Sequence, residues 1–154
     1  MPDTPATKKR TRSVALIVVT LVITVVAVYF GNVEVQSYLG RKAVAATGLE
    51  PVTLEQALAQ ATVDDRLVLA DMSAIWCPSC RRLDKEVFSN HAVQQAILAK
   101  YVFSRIEYES DEGEAFMKTY GVRGFPTLLI LDAQGNLVRE LPITFDPERF
   151  AANL

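Results

Sequence analysis

Both cysteines of this 154-residue chain lie in one stretch, Trp76-Cys77-Pro78-Ser79-Cys80. Two thiols separated by two residues can close and open a disulfide if the backbone holds them on one face. The flanking residues indicate how that happens. Leu67-Val68-Leu69-Ala70 reads as a buried strand before the pair, and Leu83, Val87 and Phe88 recur at helical spacing after it. The pair therefore sits at a strand-to-helix junction, with Cys77 near the first helical turn. Positions i and i+3 of a helix share a face, with Cα atoms roughly 5–5.5 Å apart, inside the range a disulfide tolerates. The unpaired N–H groups and positive dipole end of a helix N-terminus favour a thiolate over a thiol. Cys77 is the better placed to feel them, so it is read as the nucleophile and Cys80 as the resolving thiol. Pro78 suits the first turn, where its missing N–H costs nothing.

Other readings of the pair meet obstacles. A structural zinc site takes four ligands, and the single histidine, His91, supplies at most a third. His91 reads as a surface residue rather than a ligand. A c-type haem site needs His after the second Cys, where Arg81 stands. A purely structural bridge over so short a loop constrains the unfolded chain little. The reading is a redox dithiol that requires no metal or organic cofactor.

The segment from Asp71 to Cys80 resembles the active-site segment of the thioredoxin-like family. A second stretch, Tyr120-Gly121-Val122-Arg123-Gly124-Phe125-Pro126-Thr127-Leu128-Leu129-Ile130, closely resembles that family's other signature. The resemblance runs from about Pro51 to the end of the chain. It implies a thioredoxin-like α/β fold, with a central mixed β-sheet flanked by helices. It also implies that Pro126 follows a cis bond and packs against the dithiol. Trp76, Phe125, Pro126 and Thr127 would then shape the site and hold an extended substrate backbone, as in strand addition. Asp71, six residues before Cys77, matches the family's buried acid, whose role is proton transfer with the resolving thiol. The run from Arg81 to Val93 is more similar to the C-terminal domains of the DsbD disulfide reductases, in which an acid occupies the position of Asp84. Taken alone, Asp84 reads as a solvated helix residue and Asp71 as a strand-end hydrogen-bonding residue. The family match makes both candidate catalytic residues. Pro-Ser between the cysteines replaces thioredoxin's Gly-Pro, and Met72-Ser73 replaces an aromatic-rich pair.

The elements that must position these residues follow from the pattern. Half the residues are apolar, enough for one modest domain and an appendage. Residues 1–13 are polar, with Lys8, Lys9, Arg10 and Arg12. Residues 14–30 are apolar apart from Thr20 and Thr24. Extended to about residue 33, the run reads as a membrane span rather than a core helix, because it has no polar face. No small-residue cleavage site follows closely, so the segment reads as an uncleaved signal anchor. The basic cluster before it, against only Arg41 and Lys42 beyond, places the N-terminus in the cytoplasm and the dithiol outside, in a bacterium the periplasm. Residues 34–50 read as a linker, and residues 51–154 as the thioredoxin-like domain.

Within that domain Thr53-Leu54-Glu55-Gln56 reads as a capping box opening a helix to about Thr62. Residues 66–73 form the strand feeding the dithiol. A helix follows Asn90, and residues 101–108 form the next strand. The acidic run from Glu107 to Glu114 is a solvated loop and helix start. A helix closes at Gly121, a hairpin joins residues 127–131 to 137–141, and Asp146-Pro147-Glu148 opens a short final helix. From Leu49 on, acidic residues outnumber basic ones, which argues against nucleic-acid binding. The expected function is membrane-anchored thiol–disulfide exchange. The expected partners are disulfide or dithiol proteins outside the cytoplasm and a membrane donor that recharges the dithiol. The family likeness favours a reductase. A disulfide-donating oxidase and a non-catalytic tethered binding module stand as the alternatives.

Overall fold

Strand β1 (Leu67–Ser73) is the axis of the fold. The computed structural model describes residues 5–154, with side chains from residue 14 onward. The side chains of Lys8, Lys9, Arg10 and Arg12 therefore lie outside the described residues. The sheet has the order β2-β1-β3-β4, with β2 (Tyr101–Glu107), β3 (Thr127–Leu131) and β4 (Leu137–Leu141). β1 pairs parallel with β2 and antiparallel with β3, and β3 with β4 is an antiparallel hairpin. A central strand is buried on both faces, and β1 shows it: Val68 to Ser73 are all buried.

Side chains of a strand alternate between faces. Val68, Ala70 and Met72 of β1 join Val102 and Ile106 of β2 in a core with Ala57, Ala61 and Phe116. Those last three come from helices α2 (Leu54–Asp64) and α5 (Asp111–Tyr120). On the other face Leu69 and Phe103 pack with Leu83, Val87, Phe88, Val93, Ile97 and Phe150. These belong to α3 (Pro78–Leu83), the turn after it, α4 (His91–Lys100) and α6 (Pro147–Ala152). Phe88 anchors this side, edge-on to Phe103 at 5.4 Å and to Phe150 at 5.6 Å. The fold is thus the expected thioredoxin-like sandwich of a mixed sheet between helices.

Local caps fix where the helices begin. The Thr53–Gln56 capping box is formed in both directions, and α2 ends one residue before Asp65 in the left-handed conformation. Asn90 caps α4, Ser110 caps α5, and Asp146 caps α6 with Pro147 in its first turn. The helix after the dithiol departs from the uniform helix the spacing suggests. It widens into a π-helical turn, Asp84–Phe88, and the Ser89 N–H donates to the Asp84 carbonyl five residues back at 2.9 Å.

The chain divides into two units, Met1–Val35 and Gln36–Leu154. In the first, α1 (Pro5–Ala45) exposes its apolar side chains from Val14 on and is long and apolar enough to cross a membrane. The hydroxyls of Thr20 and Thr24 donate to the carbonyls of Leu16 and Thr20, both at 2.9 Å, so neither needs an outside partner. In place of the linker read over residues 34–50, α1 continues to Ala45, and from Gln36 its residues belong to the second unit. Ser37, Gly40, Ala43, Thr47 and Leu49 are buried there. Gln36 accepts a hydrogen bond from Arg81, and Gln94 donates to the Thr47 carbonyl. A repeating small-residue spacing, Ser37, Gly40 and Ala43, lets the helix approach the backbone closely. Its polar neighbours disguise this as tether in the sequence.

Gly40 measures that approach, because a Cβ there meets the Ile75 carbonyl oxygen. In an open helix Gly→Ala stabilises by about 1 kcal/mol. Gly40→Ala is expected to do the reverse, with a net loss of about 1–3 kcal/mol from overpacking. Gly31→Ala, whose Cβ meets nothing within 4 Å, leaves the second unit untouched. Urea unfolding followed by Trp76 fluorescence separates the two variants.

Candidate active site

The dithiol sits at the junction of β1 and α3. Cys77 is the N-cap of α3, in extended conformation, and Pro78 occupies the first turn. The Cys80 N–H donates to the Cys77 sulfur at 3.1 Å, and the Ser79 hydroxyl lies 3.2 Å from the same sulfur. The helix N-terminus thus directs an orphan amide at Cys77, as a serine or aspartate cap would receive one. The two cysteines are joined as a disulfide, with Cα atoms 5.3 Å apart. Each is only 3% exposed.

The loop that delivers Cys77 is held from below. The Ile75 N–H donates to Glu107 Oε1 at 3.2 Å, and the Cys77 N–H donates to the Ala74 carbonyl at 2.9 Å. Around the dithiol stands an aromatic wall of Trp76, Phe125 and Tyr108. Phe125 meets Trp76 edge-on at 5.4 Å and Tyr108 at 4.8 Å. The Phe125–Pro126 bond is cis. The Thr127 hydroxyl donates to the Gly124 carbonyl at 2.9 Å, closing the loop before β3. Tyr108 and Glu107 were not singled out from the sequence. Glu107 ends β2 and Tyr108 follows it, at the start of the acidic run that reads as solvated.

Beneath the dithiol lies a buried ion cluster. Asp71 and Asp84 are 1% and 2% exposed. Between them stands Arg105 of β2, the direct neighbour of Asp71 across the parallel pair. Its Nε and Nη2 donate to Asp71 Oδ2 at 2.8 and 2.6 Å. Nη2 also reaches Asp84 Oδ1 at 2.5 Å, and Nη1 reaches Asp84 Oδ2 at 3.3 Å. The solvated helix position that Asp84 suggests in isolation is not found, because the π turn points it into the core. Asp71 Oδ1 is buried without a hydrogen-bond partner among the described residues. Arg105 also went unnoticed in the sequence, though a signal existed. Alternation along β2 puts Arg105 on the inward face with Tyr101 and Phe103, where a lone charge cannot stay unpaired.

Burial pushes the Asp71 carboxyl above the usual carboxylate range, against the pull of Arg105 and with a further push from Asp84. Burial works against the Arg105 charge, but the two carboxylates outweigh it and raise its pKa above the ordinary value. Glu107 is raised as well, first by burial, while its bond from Ile75 opposes the shift. A cavity of about 10 Å³, room for at most one water, is lined by Cys80, Asp84, Arg105 and Glu107, and by Gly40 and Val44 of α1. Among the described residues no cluster of three His, Cys, Asp or Glu side chains could hold a metal ion.

A bridged Cys-X-X-Cys capping a helix, opposite a cis-proline loop on a mixed sheet, defines the thioredoxin-fold class of disulfide oxidoreductases. Comparison with known proteins agrees. A family model described as a thioredoxin-like domain matches residues 54–154, and the chain belongs to the thioredoxin-like family. The thiol:disulfide interchange protein DsbD of Klebsiella pneumoniae is 35% identical over 104 residues, which cover 66% of this chain and 17% of that protein. DsbD of Escherichia coli K12 is 34% identical over 105 residues, 66% of this chain and 18% of that one. The chain therefore spans less than a fifth of the length of these curated relatives. Among solved structures, the C-terminal domain of Neisseria meningitidis DsbD in the oxidised form superposes with TM-score 0.55 at 25% identity, covering 64% of this chain and 88% of that one. A Thermus thermophilus thioredoxin shares the fold with TM-score 0.61 at 24% identity, over 68% and 82% of the two chains.

The raised Asp71 carboxyl gives a signed prediction. An acid whose folded-state pKa is raised favours the fold while protonated and loses that contribution as pH rises through the folded value. Asp71→Asn never ionises, so between pH 4, where the unfolded carboxyl also takes its proton, and pH 8 it should lose less melting temperature than the wild type does, on top of a pH-independent loss from taking one partner from Arg105. Paired thermal melts across that range check it.

Proposed function

We propose that the chain is a membrane-anchored thiol–disulfide oxidoreductase that reduces disulfides of proteins outside the cytoplasm. The observation that carries the reading is Cys77 at the helix N-cap, its sulfur accepting the Cys80 N–H. The reduced Cys77 thiolate attacks one sulfur of a partner disulfide and forms a mixed disulfide. Cys80 then attacks the Cys77 sulfur, closing the intramolecular bridge and releasing the partner as a thiol. Two electrons pass to the partner, and a membrane dithiol donor returns them. Trp76, Phe125, Pro126 and Thr127 hold the partner's backbone beside Cys77, with Tyr108 completing the aromatic wall. Asp71 and Asp84 manage the proton of Cys80.

The anchor reading rests on the exposed apolar stretch of α1 and on the basic residues before it. By the positive-inside rule the N-terminus is cytoplasmic and the dithiol periplasmic. Reduction rather than oxidation is favoured by the DsbD likeness over residues common to both chains.

The test is the reduction potential of the full chain in detergent, equilibrated in graded thiol/disulfide buffers. A value near about −270 mV supports an electron donor, and one near about −120 mV overturns the direction. In the same preparation Cys77→Ser should abolish reduction of a disulfide protein. Cys80→Ser should accumulate the mixed disulfide on Cys77, visible on a non-reducing gel. Turnover retained in Cys77→Ser would make the assignment of the nucleophile wrong.

A further inference from the structure

Among the described residues, Arg105 of β2 is hydrogen-bonded to both buried aspartates. Asp71 of β1 and Asp84 of the π turn share its guanidinium through four hydrogen bonds. Glu107 lies two residues further along β2 and joins Asp84 and Cys80 at the small cavity. Arg81 of α3 also lines that cavity, but its guanidinium is engaged by Gln36. The α1 residues there, Gly40 and Val44, carry no charge. Two acids, Asp84 and Glu107, thus share the small cavity with Cys80. Asp84 fronts the cavity, while Asp71 is absent from its wall and is tied to the rest by Arg105.

We propose that Arg105 is a positioning residue of the dithiol: it binds Asp71 and Asp84 into one unit that can accept the proton of Cys80. The chemistry sets what its loss does. Two carboxyls buried close together cannot both remain ionised without a counter-charge. Without Arg105, burial is left unopposed at Asp71, which holds its own proton more firmly and accepts that of Cys80 less readily. In the resolving step Cys80 passes its proton to the cluster, and its thiolate attacks the Cys77 sulfur. The Cys77–Cys80 bond forms as the bond from Cys77 to the partner breaks, and the partner leaves as a thiolate. The dithiol gives up two electrons and the partner disulfide receives them. With the cluster blocked, this step waits for a higher pH, whereas the first attack by Cys77 does not depend on it.

The inference rests on the oxidoreductase reading, and the experiment separates the two. The reduced full chain in detergent is mixed with dithiobis(nitrobenzoate) in a stopped-flow instrument from pH 5 to 10. Attack by Cys77 releases one coloured thiolate, and attack by Cys80 releases the second. Arg105→Met should slow the second phase about tenfold or more at neutral pH and move its midpoint upward by about one unit or more. The first phase should change far less. Arg105→Lys, which keeps the charge but not the paired geometry, should fall between Met and wild type. A wild-type pH profile in the variants, even with a lowered melting temperature, means that Arg105 is only structural and overturns the proposal. If Arg105→Met does not fold, the Lys variant decides by the same midpoint. A wild type with no second phase overturns the oxidoreductase reading itself.

Discussion

The burial of one arginine between two aspartates constrains the rest of the second unit. Each ion would cost several kcal/mol to bury alone, and removing one partner of a buried pair typically costs about 3–5 kcal/mol. The cluster therefore dictates the relative placement of the elements that supply it. Asp71 and Arg105 are cross-strand neighbours, so the parallel register of β1 on β2 must hold. Asp84 must come down from the helix above, and the π-helical turn that starts there aims it inward. Shifting β2 by one residue would turn Arg105 to the opposite, apolar face and leave both carboxylates unpaired. The ions are thus a register device as well as a charge store, set in a core that is otherwise aliphatic and aromatic.

The second unit begins at Gln36, ahead of the family match that starts at residue 54. The last turns of α1 cover the groups behind Cys80 with small residues, Gly40 against the Ile75 carbonyl and Ala43 fully buried. Because Ile75 adjoins Trp76, this cover also braces the loop that presents Cys77. A helix with bulky residues at these positions could not sit so near the loop.

Much of this was legible in the sequence, for reasons that differ by element. The dithiol junction was readable because a buried strand, two cysteines and a Pro in the first turn follow one another directly in the chain. The Thr53–Gln56 capping box, Gly121 and the Asp146-Pro147 start were readable because caps depend on local side chains. The burial of Asp84 was not readable from periodicity, since the π turn rephases the helix at that residue. Arg105 and Glu107 sit in what reads as a polar strand end; alternation along β2 turns them inward, and the pairing with β1 shows that Arg105 meets Asp71 there. The burial of Ser37, Gly40 and Ala43 in the tail of α1 leaves little trace in the sequence, because Ser, Gly and Ala carry little hydrophobic signal. Their burial comes from how closely they let two backbones approach, which is a tertiary property.

A fold that serves a redox cycle must survive with the bridge open. In the chain-entropy account a loop this short contributes about 2 kcal/mol, well below the about 4.7 kcal/mol of a 100-residue loop. The two sheet faces carry the structure instead. Leu69, Phe88, Phe103 and Phe150 lie on one side, and Val68, Met72, Ile106 and Phe116 on the other. Cys77 and Cys80 belong to neither of these cores but to a small cluster with Ala74 and the aromatic wall. The bond that opens and closes is thus kept apart from the contacts that hold the sheet to its helices. Its nearest buried support is the ion cluster, whose charge state a proton can change at little cost in packing. The chemistry and the architecture meet only at β1, whose one face builds the α2–α5 core while the other carries Asp71 beneath the dithiol.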